Sequence, residues 1–437
     1  MGWPEAVPLA LFALLVSFAA ACESSPAAAE PSDGGPSDGS AASLDGASGD
    51  DGSHSGDSGA PDRIAASSDA SGDDGSPSSD GGADAASGEA ASPSGDDADA
   101  ALPAPYTLQL LKQAAIVSDG SQPNFQNATA PVRLAEPAFA SVKLVVDLTS
   151  PCFPFSNWKT DRPPAGQNWP SDCDAFDRNF EMSLEDPGAK GAGAAAAIEL
   201  QRAITPFGGP EHVETDVTDV FNGLHGAART FKVYLDTHSD SMGQVSGSNG
   251  MWRVDAHLDV QPGPAPRHVV AVLPLEYAYV TVGGTAHALP FTLPAGTASA
   301  KIEYRVTGHG GGTEGMNDPY CIGPNDEFCK RTHTLTLDGA QLAKIQPWRT
   351  DCTKNCTMVS NDPSSPFGAY CKENPCGLPA SVTAPRANWC PGTPTPPFSW
   401  TPAALNGPGA HTLSYAIDPI GMGGTWRVSA LVYAYGP

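Results

Sequence analysis

The chain has 437 residues and a formal net charge of -26, with 49 acidic against 23 basic side chains. That balance argues against a nucleic-acid-binding face, which needs clustered Lys and Arg. The charge is unevenly spread: residues 23–103 carry eighteen of the acids and a single base, Arg63.

Residues 6–21 form an apolar run too short for a comfortable membrane span and read as an export signal. Ala19-Ala20-Ala21-Cys22 is similar to a bacterial lipoprotein cleavage box, which predicts 1–22 as the signal and Cys22 as the lipid attachment point. The alternative is ordinary cleavage at an Ala-x-Ala site. Residues 23–103 are dominated by Ser, Asp, Gly, Ala and Pro, with Leu44, Ile64 and Leu102 the large aliphatics and no Phe, Trp or Tyr. Such a segment cannot build a core and predicts a disordered, self-repelling tether.

The remaining chain is long enough for two domains, predicted at 104–262 and 267–437 with a break at Gln261-Pro-Gly-Pro-Ala-Pro266. Alternating runs at Ser141–Leu148, Phe231–Leu235 and Ile302–Val306 predict an all-β fold, with a short helical piece only near Ala340–Ile345. Trp252-Arg-Val-Asp-Ala256 and Trp426-Arg-Val-Ser-Ala430 echo each other, as the last core strands of two β-sandwiches built alike would.

Nine cysteines follow Cys22, and in an exported chain they read as disulfides. Local closures Cys152–Cys173, Cys321–Cys329 and Cys371–Cys376 are expected. Cys390 pairs with Cys352 or Cys356, Cys352–Cys390 being the expected pairing, and one of those two is left over. A zinc site from Cys352, Cys356, Cys371 and Cys376 is the rival, but its spacings are loose, and no metal is expected.

Cys173-Asp174-Ala175-Phe176-Asp177-Arg178 packs two acids, an aromatic and an arginine beside a disulfide half. Asp236 follows an alternating run, and Glu327 sits inside the Cys321–Cys329 loop. Converging carboxylates split each other's pKa values, so one serves as base while another holds a proton. The plain structural readings are an Asp177–Arg178 pair, a solvated strand end at Asp236 and a Glu327 accepting loop N–H groups. His309 and His333 lack a ligand spacing, and no serine elbow, H-E-x-x-H or phosphate loop competes. The planes of Trp389 and Phe328 suit the apolar faces of sugar rings.

Six ordered motifs resemble the peptide-N-glycosidase F family, bacterial amidases that remove N-linked glycans from asparagine. The family's C-D-E-W-D-R is matched by Cys173–Arg178, R-F-I-T-P-Y by Arg202-Ala-Ile-Thr-Pro-Phe207, and I-D-V-T-D by Thr215-Asp-Val-Thr-Asp219. K-I-Y-T-E-T is matched by Lys232-Val-Tyr-Leu-Asp-Thr237, E-W-C-F-R-T-H-T by Glu327-Phe-Cys-Lys-Arg-Thr-His-Thr334, and R-A-G-W-C-P-G by Arg386-Ala-Asn-Trp-Cys-Pro-Gly392. The resemblance implies two side-by-side eight-stranded antiparallel jelly-roll sandwiches with a glycan cleft at their junction. It implies a cofactor-free, monomeric hydrolase of the Asn–GlcNAc amide in N-linked glycoproteins; the N-terminal signal, which lies outside the resemblance, predicts an outer-membrane lipoprotein or secreted protein that touches membrane only through a lipid anchor.

It also implies Asp177, Glu327 and Asp236 as catalytic residues, and Arg178, Asp174, Arg386, Trp389, His238, Phe328 and His309 as substrate contacts. Asp236 replaces a family glutamate, shortening the reach by about 1.5 Å. His238 stands at the family's aromatic after the third acid, Phe328 at the Trp of E-W-C, and Gly308-His-Gly-Gly311 where the family has G-W-G-H. The alternative function is a non-catalytic glycan-binding module of the same fold.

Overall fold

The computed structural model describes residues 103–136, 138–187, 197–237, 246–310, 318–323 and 326–437. The expected signal, Cys22, nearly all of the tether, and His238 lie outside the described residues.

The first half contains β1 (Tyr106–Val117), β2 (Asn127–Val132), β3 (Phe139–Thr149), β4 (Asn179–Glu185), β5 (Ile198–Ile204), β6 (Glu211–Asp216), β7 (Arg229–Leu235) and β8 (Met251–Pro262). They form two antiparallel sheets, β1-β8-β3-β6 and β5-β4-β7-β2. The second half contains β9 (Val269–Val280), β10 (Ala286–Leu293), β11 (Ser299–Gly310), β12 (His333–Leu337), β13 (Ala340–Ile345), β14 (Met358–Ser360), β15 (Ala369–Cys371), β16 (Thr393–Pro394), β17 (Phe398–Trp400), β18 (Gly409–Ile417) and β19 (Gly424–Tyr435). Its main sheets are β17-β11-β19-β9 and β10-β18-β12-β13. Leaving out the small β14–β16, strands one, eight, three and six of each half share a sheet, and two, seven, four and five share the other. Both halves are jelly rolls.

Alternation builds each core. In β8, Trp252, Val254, Ala256, Leu258 and Val260 point inward while Arg253 and Asp259 face solvent. Strands β4, β5 and β19 depart from this, because they are buried at nearly every position. They face each other across the junction, where their polar side chains pair. Arg427 of β19 donates Nε and Nη2 to the two oxygens of Glu181 on β4 at 2.8 and 2.7 Å. Arg202 of β5 grips Glu199 at 2.8 and 2.9 Å and reaches across to the Arg427 carbonyl at 2.7 Å. Burial alone would raise Glu199, but Arg202 and Arg305 outweigh it and hold its pKa down at about 2. One strand also crosses over: β16 pairs with the edge of β5.

Two expectations are corrected. Ala340–Ile345 is strand β13, not a helix, because Asp338-Gly339 makes a two-residue turn with φ of 52° and 81°, which folds it onto β12. The Cys371–Cys376 disulfide is also wrong. The β14–β15 hairpin pairs Met358 with Cys371, which brings Cys356 to a Cα separation of 4.6 Å, and these two are bonded. Cys376 is drawn away by its N–H to the Phe207 carbonyl at 2.9 Å and is free, its sulfur beside the Cys152–Cys173 bond. The other disulfides are Cys152–Cys173, Cys321–Cys329 and Cys352–Cys390. Three of the four cysteines of the zinc alternative are thereby consumed.

Candidate active site

The loop carrying Asp177 is pinned along its length. Cys173 is tied to Cys152, Met251 N donates to the Asp172 carbonyl at 3.0 Å, and Ala175 N to Gly247 at 2.9 Å. Only glycine fits at Gly250, where a Cβ would lie 2.1 Å from Asp174 N. Arg178 exchanges backbone bonds with Thr205, donating N–H to its hydroxyl and accepting its N–H, both at 2.8 Å. The fully buried Asp174 accepts Arg178 Nε at 3.1 and 3.0 Å, which aims the guanidinium across the Phe176 ring. Arg178 Nη2 has no partner, a buried donor left for something else to satisfy.

Glu327 is set from the second half by a separate scaffold. Its neighbour Asp326 is buried and accepts bonds from Trp426 Nε1 at 2.7 Å, Arg331 Nη2 at 2.6 Å and Gly421 N at 3.2 Å. The Glu327 carbonyl accepts Ala387 N at 2.7 Å, and its Oε1 accepts Arg386 Nη1 at 2.9 Å. Arg386 is fixed further by Nη2 to the Ser381 carbonyl and hydroxyl, at 3.0 and 2.9 Å, and lies between the Phe328 and Trp389 rings.

Arg386 joins the halves: its Nη2 is 3.8 Å from Asp177 Oδ2. Asp177 and Glu327 are each about one-fifth exposed, at 19% and 20%, above an arginine that is 1% exposed. Burial pushes the Asp177 pKa up to about 7, Arg386 opposing and Glu327 adding to the rise. This is a carboxyl that changes charge near neutrality, backed by a fixed cation and beside a second acid. Such a set can take a proton from water and steady a developing oxyanion.

Asp236 stands at the same end of the sheet, its N–H donating to the Asn179 carbonyl at 3.0 Å, two residues from Asp177. Its carboxylate accepts the Tyr234 hydroxyl at 3.0 Å. Three expected sugar contacts are corrected. Asp174 has no exposed surface and supports Arg178, Arg386 lies beneath the two acids, and Trp389 is 1% exposed. Trp389 donates Nε1 to Gly308 O at 2.8 Å and stacks on His309, so both its faces are covered. Burial, with Arg202, Arg427 and Arg386 nearby, lowers the His309 pKa to about 3, so it is neutral and pairs with the Thr307 hydroxyl. Reasoning from sequence passed over Asp326, Trp426, Thr205 and Ser381. Asp326, Thr205 and Trp426 fall inside the loops or motifs that the sequence singles out, whereas Ser381 does not.

The class defined by fold and site is a paired jelly-roll protein with two carboxylates at its junction. Residues 277–433 match the family model described as peptide-N-glycosidase F, C terminal. A curated relative, the peptide-N(4)-(N-acetyl-beta-D-glucosaminyl)asparagine amidase F of Elizabethkingia miricola, is 25% identical over 240 residues, 51% of this chain. The chain spans 57% of that relative's length. Among solved structures, PNGF-II is similar with a TM-score of 0.57 and 18% identity, covering 76% of this chain and 66% of that one. PNGase F, a glycosylasparaginase from Flavobacterium meningosepticum, has a TM-score of 0.54 and 18% identity, covering 76% and 96%. The second half is thus similar to the C-terminal part of the peptide-N-glycosidase F family, and the paired jelly-roll fold is shared with that family's solved structures.

Proposed function

We propose that this protein is an exported amidohydrolase that cleaves the amide joining asparagine to the innermost N-acetylglucosamine of N-linked glycoproteins. The observation that carries the reading is the meeting of Asp177 and Glu327, from different sandwiches, on the buried Arg386. Ionised Asp177 takes a proton from the attacking water. Arg386 keeps charge balanced as the proton moves, and Glu327 polarises the amide through a proton or bridging water. The products are aspartate on the peptide and a glycosylamine that later loses ammonia. Arg178, with its unpartnered Nη2, and Phe328 contact the inner sugars, and Asp236 holds the far side of the core. Four disulfides support the exported setting.

The test is incubation with a denatured N-glycoprotein in heavy-oxygen water, with Asn converted to labelled Asp as the expected result. Unlabelled peptide across high-mannose and complex glycans rejects the reading. Asp177→Asn is expected to lower turnover about 10²–10⁴-fold. A second reading, glycan binding without turnover, is favoured by Asp236, whose short carboxylate is engaged by Tyr234. Chitobiose binding with no label incorporated would select it.

A further inference from the structure

Tyr279 is the residue of β9 paired with Arg427, and 41% of its surface is open. Its hydroxyl end is nonetheless sunk in the junction: burial, with Glu181 and Asp236 near, pushes its pKa up to about 12. Asn179 Nδ2 donates to its oxygen at 3.3 Å, and the Tyr234 hydroxyl, which donates to Asp236 at 3.0 Å, lies near it. The Arg427 guanidinium covers one ring face at 4.4 Å. With Arg427 over one face and 41% of the residue's surface open, the ring has surface free for a ligand away from Arg427. The ring is held from behind and loses little freedom on contact, which suits a recognition surface.

Its place is set by both halves of the site. Asn179, which holds the phenol, lies two residues from Asp177. The next residue of β9, Val280, pairs with Trp426, whose indole holds Asp326 beside Glu327. An aromatic ring, fixed and partly open, thus lies among the supports of both carboxylates.

We propose that Tyr279 is a specificity-determining residue whose free face stacks on an N-acetylhexosamine ring next to the scissile linkage. The sugar class rests on the amidase reading above. Stacking uses the apolar C–H face of the pyranose, while Asn179 holds the phenol oxygen.

The experiment is calorimetric titration of chitobiose into the purified full chain and into Tyr279→Ala, Tyr279→Leu and Tyr279→Phe, each checked for its thermal transition. Tyr279→Ala and Tyr279→Leu are expected to bind about tenfold more weakly, and Tyr279→Phe within about threefold of the parent. If the alanine variant does not fold, the leucine and phenylalanine variants decide. Unchanged affinity in Tyr279→Leu, an equal loss in Tyr279→Phe, or no binding by the parent overturns the proposal. Because binding is read without turnover, a parent that binds through Tyr279 but leaves Asn unlabelled rejects only the amidase reading. Labelling with chitobiose binding indifferent to Tyr279 rejects only this one.

Discussion

Arg253 and Arg427 occupy the same place in two copies of one fold: each follows the core tryptophan of an eighth strand. Arg253 faces solvent, whereas Arg427 is buried against Glu181, Tyr277 and Tyr279. The strand position is equivalent and the surroundings are not. In the first sandwich the sheet of β8 faces outward, and in the second the sheet of β19 lies on its neighbour. An equal motif thus becomes a solvated side chain in one copy and a junction anchor beside the candidate site in the other.

The largest expected effect tests that difference directly. Glu181→Gln leaves Arg427 buried without its counter-ion and is expected to cost about 3–5 kcal/mol in denaturant unfolding. Arg253→Ala is expected to stay within about 0.5 kcal/mol. Similar losses in the two variants would break the comparison.

A smaller effect concerns pH. The Asp177 pKa is raised on folding, so its ionisation costs stability: the cost is absent below the ordinary carboxylate range and grows as pH rises toward about 7. Discounted for its partial exposure, the cost is about 2 kcal/mol, and Asp177→Asn should flatten stability across that window. Turnover should rise with pH through about 7, since the base must be ionised. A rate already at its plateau at pH 5 would remove Asp177 as base.

Much of this was legible in the sequence. The alternation in β3, β7 and β11 marked the β fold, and the Trp-Arg-Val echo marked equivalent strands. Asp177 and Glu327 stood out because disulfide-bounded loops rich in charge have few structural explanations. The junction was hidden, because Glu181, Glu199, Arg427 and Ser429 alternate with apolar residues just as a solvent-facing row does. Periodicity cannot tell water from a second sheet. Trp389 looked like a sugar contact from its aromatic plane and Arg386 from the family resemblance, and only burial shows which side of the site each occupies. The mispaired cysteines turned on the register of β14 and β15, which nearness in sequence does not encode.

The two-residue strand β16 has a consequence for how the molecule comes apart. Thr393 and Pro394 of the second half close the edge of β5 in the first, with Gly392 N on Ile204 O at 2.8 Å and Thr395 N on Arg202 O at 2.7 Å. Detaching the second half would therefore strip a sheet edge as well as the ion pairs of the junction, so neither half keeps its own surface alone. Scanning calorimetry of the whole chain should show a single endotherm, and two resolved transitions would mean that the halves melt as independent bodies.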